Sequence, residues 1–165
     1  MPKLKNRRVA ILATDGFEQS ELEKPRDALL SEGAQVHIVS PHSGEIRGWD
    51  ENDWGRSVKV DKTLDAVSPD DYDALVLPGG QINPDLLRND KSAVKFIKAI
   101  FEANKPIAAI CHAPWLLAEA GIAKGRKLTS FPVRPPPRPC RSACLPAGQA
   151  RRDRGGPRWR RRRRG

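Results

Sequence analysis

Four short aliphatic runs decide most of what this chain can fold into: Arg8-Val9-Ala10-Ile11-Leu12-Ala13, Gln35-Val36-His37-Ile38-Val39-Ser40, Ala74-Leu75-Val76-Leu77 and Pro106-Ile107-Ala108-Ala109-Ile110. Runs this brief, β-branched and largely without polar alternation, suit strands buried on both faces, as in a parallel sheet. Parallel neighbours need crossovers, and the intervening segments read as helices. Ser20-Glu21-Leu22-Glu23 reads as a capping box, opening a helix with Leu22, Ala28 and Leu29 on one side that Gly33 stops. Pro25 falls near its start, where a proline costs least. Asp90 reads as the cap of a second helix with Val94, Ile97 and Phe101 on one face, and Ala113 to Gly121 as a short third helix closed by a glycine. Residues 41–72 are polar and turn-rich; Ser43-Gly44, Trp54-Gly55 and the alternating Ser57-Val58-Lys59-Val60 point to an excursion or hairpin. Lys127-Leu128-Thr129-Ser130 could start one more strand. The expected fold class is α/β, an open doubly wound sandwich with a mostly parallel sheet.

The pattern stops after Pro132. Residues 133–165 hold 12 Arg, no Lys, 6 Pro, 4 Gly and one acid, Asp153, so this stretch carries +11 of the chain's formal +10 and the first 132 residues carry −1. A length of 165 residues fits one domain. We therefore expect a single domain over 1–132 and a disordered tail over 133–165 with little to bury against its ordering entropy. A near-neutral body excludes a basic groove built into the fold, leaving nucleic acid only the tail, where Arg158 to Arg164 around Trp159 could meet phosphates and bases. Charges interrupt every apolar run, and no signal-peptide pattern follows the basic N-terminus, so a soluble protein is expected, with no membrane partner. Of three cysteines only Cys111 lies in the body, which fits a reducing cytoplasm.

The sharpest chemical signal is Ala109-Ile110-Cys111-His112-Ala113. A nucleophile between strand and helix, with small residues two positions away on either side, has the layout of a nucleophile elbow, because the turn is too tight for larger neighbours. The amino end of the following helix is expected to lower the thiol pKa. A buried structural cysteine at a strand end is the competing reading. If the sheet is parallel, the loops after its strands gather at one edge. Pro78-Gly79-Gly80 would then bring the Gly80 N–H beside that of His112 as an oxyanion site, unless the glycines form only a tight turn. Thr14-Asp15-Gly16-Phe17-Glu18-Gln19 would bring Glu18 within reach of Cys111, where a buried, protonated carboxyl could donate to the thiolate; a solvated loop acid is the alternative. His37 reads as a packed strand histidine and His42 as a loop histidine. No Cys/His spacing resembles a zinc site and Gly79-Gly80 lacks the Lys-Ser/Thr of a phosphate loop, so no metal or cofactor is expected.

Asp15-Gly16-Phe17-Glu18, Leu75-Val76-Leu77-Pro78-Gly79-Gly80, Asn83-Pro84-Asp85-Leu86-Leu87-Arg88, Ala109-Ile110-Cys111-His112-Ala113-Pro114-Trp115 and Gly125-Arg126-Lys127-Leu128-Thr129-Ser130 together resemble the ThiJ/PfpI family, from about Arg8 to Pro132. The resemblance implies a flavodoxin-like sandwich, a homo-oligomer and a cysteine-centred site. It implies Cys111 as nucleophile, Glu18 as the acid that tunes it, and His112 as base. Asp85, where the family usually has Glu, would complete a triad from a neighbouring subunit. Trp115 reads as core or rim packing. The implied function is a cysteine-dependent stress-defence enzyme of glyoxalase or deglycase type, acting on a small reactive dicarbonyl or on early glycation adducts of proteins or peptides. The alternatives are an intracellular cysteine peptidase, a non-catalytic redox-responsive protein, and an inactive truncated member. The tail departs from the family, whose final strands and closing helix are lacking here. Arg, Pro, Gly and Ala share G- and C-rich codons, so the switch reads as translation in another frame, with a genuine basic arm as the alternative.

Overall fold

A computed structural model of the chain describes residues 2–131 and 143–145. Its elements are β1 (Arg8–Leu12), β2 (Phe17–Glu18), α1 (Gln19–Ser31), β3 (Gln35–Ser40), β4 (Glu45–Asp50), β5 (Asp53–Lys59), β6 (Lys62–Thr63), β7 (Ala74–Leu77), α2 (Ile82–Asn89), α3 (Lys91–Glu102), β8 (Ile107–Ala109), α4 (Pro114–Glu119) and β9 (Ala143–Leu145). The main sheet has the order β6-β3-β1-β7-β8-β9, parallel throughout except for β8 against β9. This is the expected α/β sandwich with a mostly parallel sheet. Strand β9 falls within the stretch expected to be a disordered tail; the rest of that expectation lies outside the described residues.

The central strand shows why the apolar runs do not alternate with polar residues. Ile11 of β1 pairs with Ile38 on one side and Val76 on the other. Ala10 and Leu12 pack into one core layer, with Leu75, Leu77, Ile97 and Ile100, while Ile11 and Ala13 pack into the opposite layer with Phe17, Leu22 and Ile38. Successive side chains point to opposite faces, and here both faces are dry. Helices α2, α3 and α4 adjoin the first layer. Asp90 caps α3 as expected, its Oδ1 accepting the N–H groups of Ser92 at 2.8 Å and Ala93 at 2.9 Å.

Residues 41–72 hold the expected hairpin: β4 and β5 pair antiparallel, and with β2 they make a separate three-stranded sheet. That small sheet corrects the start of α1. Phe17 and Glu18 pair with Gly48 and Trp49, which keeps the chain extended to Glu18, so the helix opens at Gln19 and Ser20 lies inside its first turn. No side chain caps it. Pro25 is the seventh helical residue and removes the bond to the Glu21 carbonyl.

Two further expectations change. Helix α2 was not anticipated, because Asn83-Pro84 signals a turn; Pro84 is its third residue, where no intrahelical N–H bond is due. Lys127–Ser130 forms no strand and runs as irregular chain to Phe131, whose N–H bonds the Cys111 carbonyl at 2.7 Å. Among the described residues no helix is long and apolar enough to cross a membrane.

Candidate functional site

Three loops at the carboxyl ends of β1, β7 and β8 meet at Cys111, as a parallel sheet requires. Cys111 has φ +60, a left-handed conformation that a side chain rarely takes and that the surrounding contacts must hold. The Ala113 N–H closes the elbow onto the Ile110 carbonyl at 2.9 Å, and Ala109 and Ala113 are both buried.

The Pro78-Gly79-Gly80 turn lies so close that neither glycine has room for a methyl group. A Cβ on Gly79 would fall 2.6 Å from the Cys111 Cβ and 2.8 Å from the Ile110 carbonyl oxygen. At Gly80, φ is +86 and a Cβ would fall 2.4 Å from the Gly16 carbonyl oxygen. This closeness puts the Gly80 amide near the sulfur, as the chain turn puts that of His112, and both amides favour the thiolate. The two amides named from sequence thus lie near the Cys111 sulfur. The His112 Nδ1 lies 3.3 Å from the same sulfur.

The carboxyl beside Cys111 is Glu21, not Glu18. Glu21 stands close enough to the Cys111 thiol for its charge to oppose the thiolate, and its Oε2 accepts the Gly79 N–H at 2.8 Å. Glu18 lines the cavity mouth instead, and its backbone N–H donates to the Gly79 carbonyl at 3.3 Å. The shift follows from the start of α1: with Glu18 held extended, the first helical turn carries Glu21 in under the glycine turn. Burial raises the Glu21 pKa above the usual carboxylate value, and the Gly79 N–H opposes that rise.

The thiol also departs from expectation. Burial and the Glu21 charge push Cys111 up to about 11, against the downward pull of the Gly80 and His112 amides. Helix α4, with six residues, carries too small a dipole to reverse this. The imidazole of His112 is 8 % exposed, and burial lowers its pKa, so it stands neutral and able to take a proton. Trp115 meets it edge-on with centroids 5.3 Å apart, and Phe131 lies over it at 5.0 Å.

Asp85 is not brought to His112 within the chain. It lies exposed on α2 and pairs with Arg88 at 2.8 Å, and the Arg88 guanidinium sits 5.9 Å from the Trp115 ring centroid.

Sequence reasoning missed Asn83 as an organiser. It is fully buried; its Oδ1 accepts the Thr14 N–H at 2.8 Å, and its Nδ2 donates to the carbonyls of Pro78 at 2.8 Å and Gly79 at 3.2 Å. It thus ties the loop after β1 to the glycine turn. Only its place in an Asn-Pro pair set it apart in the sequence, and that signal indicates a turn rather than a clamp.

These groups open onto a cavity of about 540 Å³. An apolar groove of about 440 Å³ lies elsewhere, lined by residues of α1 and β8 and by Glu21. Among the described residues no group of three or more His, Cys, Asp or Glu is arranged to hold a metal ion. A half-buried thiol beside two amides, a neutral imidazole and a carboxyl of raised pKa is equipped for nucleophilic addition to a carbonyl carbon.

A family model described as DJ-1/PfpI matches residues 7–135. Deglycase TK1284 of Thermococcus kodakarensis is 46 % identical over 123 residues, 74 % of this chain and 71 % of that protein. Protein/nucleic acid deglycase 2 of Escherichia coli is 40 % identical over 126 residues, 76 % of this chain and 71 % of that protein. Among solved structures, a two-domain protein from Anabaena variabilis with DJ-1/ThiJ/PfpI-like and ferritin-like domains superposes with a TM-score of 0.70 at 28 % identity, covering 76 % of this chain and 35 % of that one.

Proposed function

The chain belongs to the DJ-1/PfpI family, and from that premise we propose that it is a cysteine-dependent deglycase, removing early dicarbonyl adducts from proteins or peptides. The carrying observation is the placement of the Gly80 and His112 amides near the Cys111 sulfur, with the His112 Nδ1 at 3.3 Å. In this reading the Cys111 thiol gives its proton to His112 or to Glu21, and the sulfur adds to the adduct's carbonyl carbon. A C–S bond forms, the π electrons of the C=O move to oxygen, and the two amides hold that oxygen. The adjacent carbinolamine then collapses: its hydroxyl gives up a proton, its C–N bond breaks, and the amine leaves with the proton first taken from the thiol; the oxyanion re-forms its C=O, the C–S bond breaks to release the dicarbonyl, and the sulfur recovers the hydroxyl's proton. Adducts derived from a small dicarbonyl such as methylglyoxal suit the cavity, and the free dicarbonyl itself is a smaller substrate for the same addition.

The test is a peptide carrying a methylglyoxal adduct, incubated with the full chain and with Cys111→Ser. Release of unmodified peptide by the parent and not by the variant is expected. Equal release by both would overturn the proposal.

A second reading, peptide hydrolysis, is favoured by the imidazole contact alone, since a neutral His112 that takes the thiol proton could return it to a leaving amine. Fragmentation of an unmodified peptide that Cys111→Ser abolishes would select it. For either chemistry we propose that Asp85 reaches His112 only from a second copy. The neighbouring α2 residues Ile82 and Leu86, 38 % and 50 % exposed, give that helix an apolar face for such a contact.

A further inference from the structure

The cavity over Cys111 is one-sided in charge. Its lining includes Glu18, Glu51, Trp49 and Phe131, and among the described residues lining it there is no Lys or Arg. The first 132 residues carry a net −1, so the lining concentrates negative charge within a near-neutral body. Neither Glu18 nor Glu51 has a side-chain hydrogen bond or ion pair among the described residues. Proximity among the acids is felt at Glu18, whose pKa is raised by burial and by the charges of Asp50 and Glu51.

The tip of the β4–β5 hairpin supplies this wall, and it is braced rather than loose. Gln19 bridges its two arms, donating to Asp50 Oδ2 at 3.1 Å and accepting the Arg56 N–H at 2.6 Å. Trp49 and Trp54 pack edge to face with centroids 5.6 Å apart. Two of the hairpin's three cations are engaged elsewhere, Arg47 donating to the Gly55 carbonyl and lying over the Trp54 ring and Arg56 pairing with Glu23, and the third, Lys59, stands opposite Glu45 at the end far from the tip. The carboxylates at the mouth are therefore not neutralised from within the hairpin.

We propose that the hairpin tip and Glu18 make the Cys111 cavity selective for adducts on cationic peptide segments, in which a Lys or Arg neighbours the modified residue. The carboxylates attract the ammonium or guanidinium, and the Trp49 and Phe131 faces can take up its flat or alkyl part. The same field repels phosphates, so a glycated nucleic acid is a poor substrate for this chain. The inference rests on the deglycase reading for its chemistry; its electrostatic content concerns the cavity alone and is read separately.

The test measures modification of Cys111 in the full chain by two thiol reagents of equal chemistry and opposite charge, 2-(trimethylammonio)ethyl and 2-sulfonatoethyl methanethiosulfonate. In each the thiolate attacks the sulfenyl sulfur, an S–S bond forms and methanesulfinate leaves, so turnover of a glycated substrate is not needed. Mass spectrometry of the Cys111 peptide separates its labelling from that of Cys140 and Cys144. Normalised to free cysteine, the cationic reagent is expected to react about tenfold or more faster at low ionic strength. That preference should collapse in Glu18→Gln/Glu51→Gln and in high salt. A normalised ratio near unity in the parent, or one that the double variant leaves unchanged, would overturn the inference.

A second arm compares release from two peptides bearing the same adduct, one flanked by Lys and one by Glu. Preference for the Lys peptide, lost in the double variant, is expected, and equal rates overturn the inference. If neither peptide is processed, the deglycase reading fails, and the reagent ratio alone decides the charge selectivity.

Discussion

Glu21 and Cys111 face each other across the glycine turn: a Cβ placed on Gly79 would lie 2.6 Å from both the Glu21 Oε2 and the Cys111 Cβ, and the same Oε2 accepts the Gly79 N–H. Burial raises the pKa of both groups, so the pair resists carrying two negative charges and its protons leave as a coupled set. A thiolate is favoured where the carboxyl is neutral and opposed where it is ionised.

Glu21→Gln removes the opposing charge, so the pH dependence of Cys111 alkylation by iodoacetamide should shift downward. In the parent the rate should climb through the ordinary thiol range towards about 11. Following alkylation of the Cys111 peptide across the alkaline range checks this. An unchanged or upward-shifted profile in the variant would contradict the coupling.

Gly80→Ala puts a methyl group where the Gly16 carbonyl oxygen lies, at a backbone φ of +86. The turn must move, and with it the amide that lies near the sulfur. Loss of one oxyanion donor costs about 100-fold or more in kcat. Deglycation kinetics beside a circular dichroism spectrum distinguish this from global unfolding, and near-normal kcat would remove Gly80 from the site.

Asn83→Ala leaves the Thr14 N–H and the Pro78 and Gly79 carbonyls without their buried partner. Orphaned buried groups cost about 1–3 kcal/mol each where water cannot reach them, so a loss of about 2–3 kcal/mol is expected in urea unfolding. Asn89→Ala, at an exposed side chain bonded to the Asp85 carbonyl, should cost about 0.5 kcal/mol or less.

Asp73 accepts the Arg8 N–H at 2.8 Å and pairs with Arg7 at 3.0 Å, and these contacts hold its pKa below the usual carboxylate value. A depressed folded-state pKa adds stability that is fully present above the unfolded-state pKa and is lost as pH falls through the folded one. Asp73→Asn should therefore cost about 1 kcal/mol or less near neutrality, the carboxyl being partly exposed, and nothing in strong acid. Equal penalties at both pH values would rule out this linkage.

Much of this was legible locally. Strands buried on both faces announce themselves by unbroken aliphatic runs, the cap at Asp90 by its type and place, and the elbow by Cys111 between small residues. What escaped depended on distant partners. Glu21 rather than Glu18 stands beside the thiol because pairing of Phe17 and Glu18 with β4 fixes where α1 begins, and nothing in residues 14–23 encodes that pairing. Helix α2 was hidden because Pro84 suits both a turn and a first helical turn. The direction of the thiol shift was misjudged because burial and a neighbouring carboxylate outweigh the end of a six-residue helix.

The Cys111 thiol and the cavity's acidic wall belong to different sheets: Cys111 and its glycine turn follow the six-stranded sheet, while the β4–β5 tip belongs to the three-stranded one. Chemistry and recognition are in that sense separately heritable. Drift in the tip can retune what the cavity admits while the sulfur stays where it is, whereas at Gly79 and Gly80 a single added carbon has nowhere to go. Descendants of such a chain would diversify through the hairpin and keep the elbow fixed.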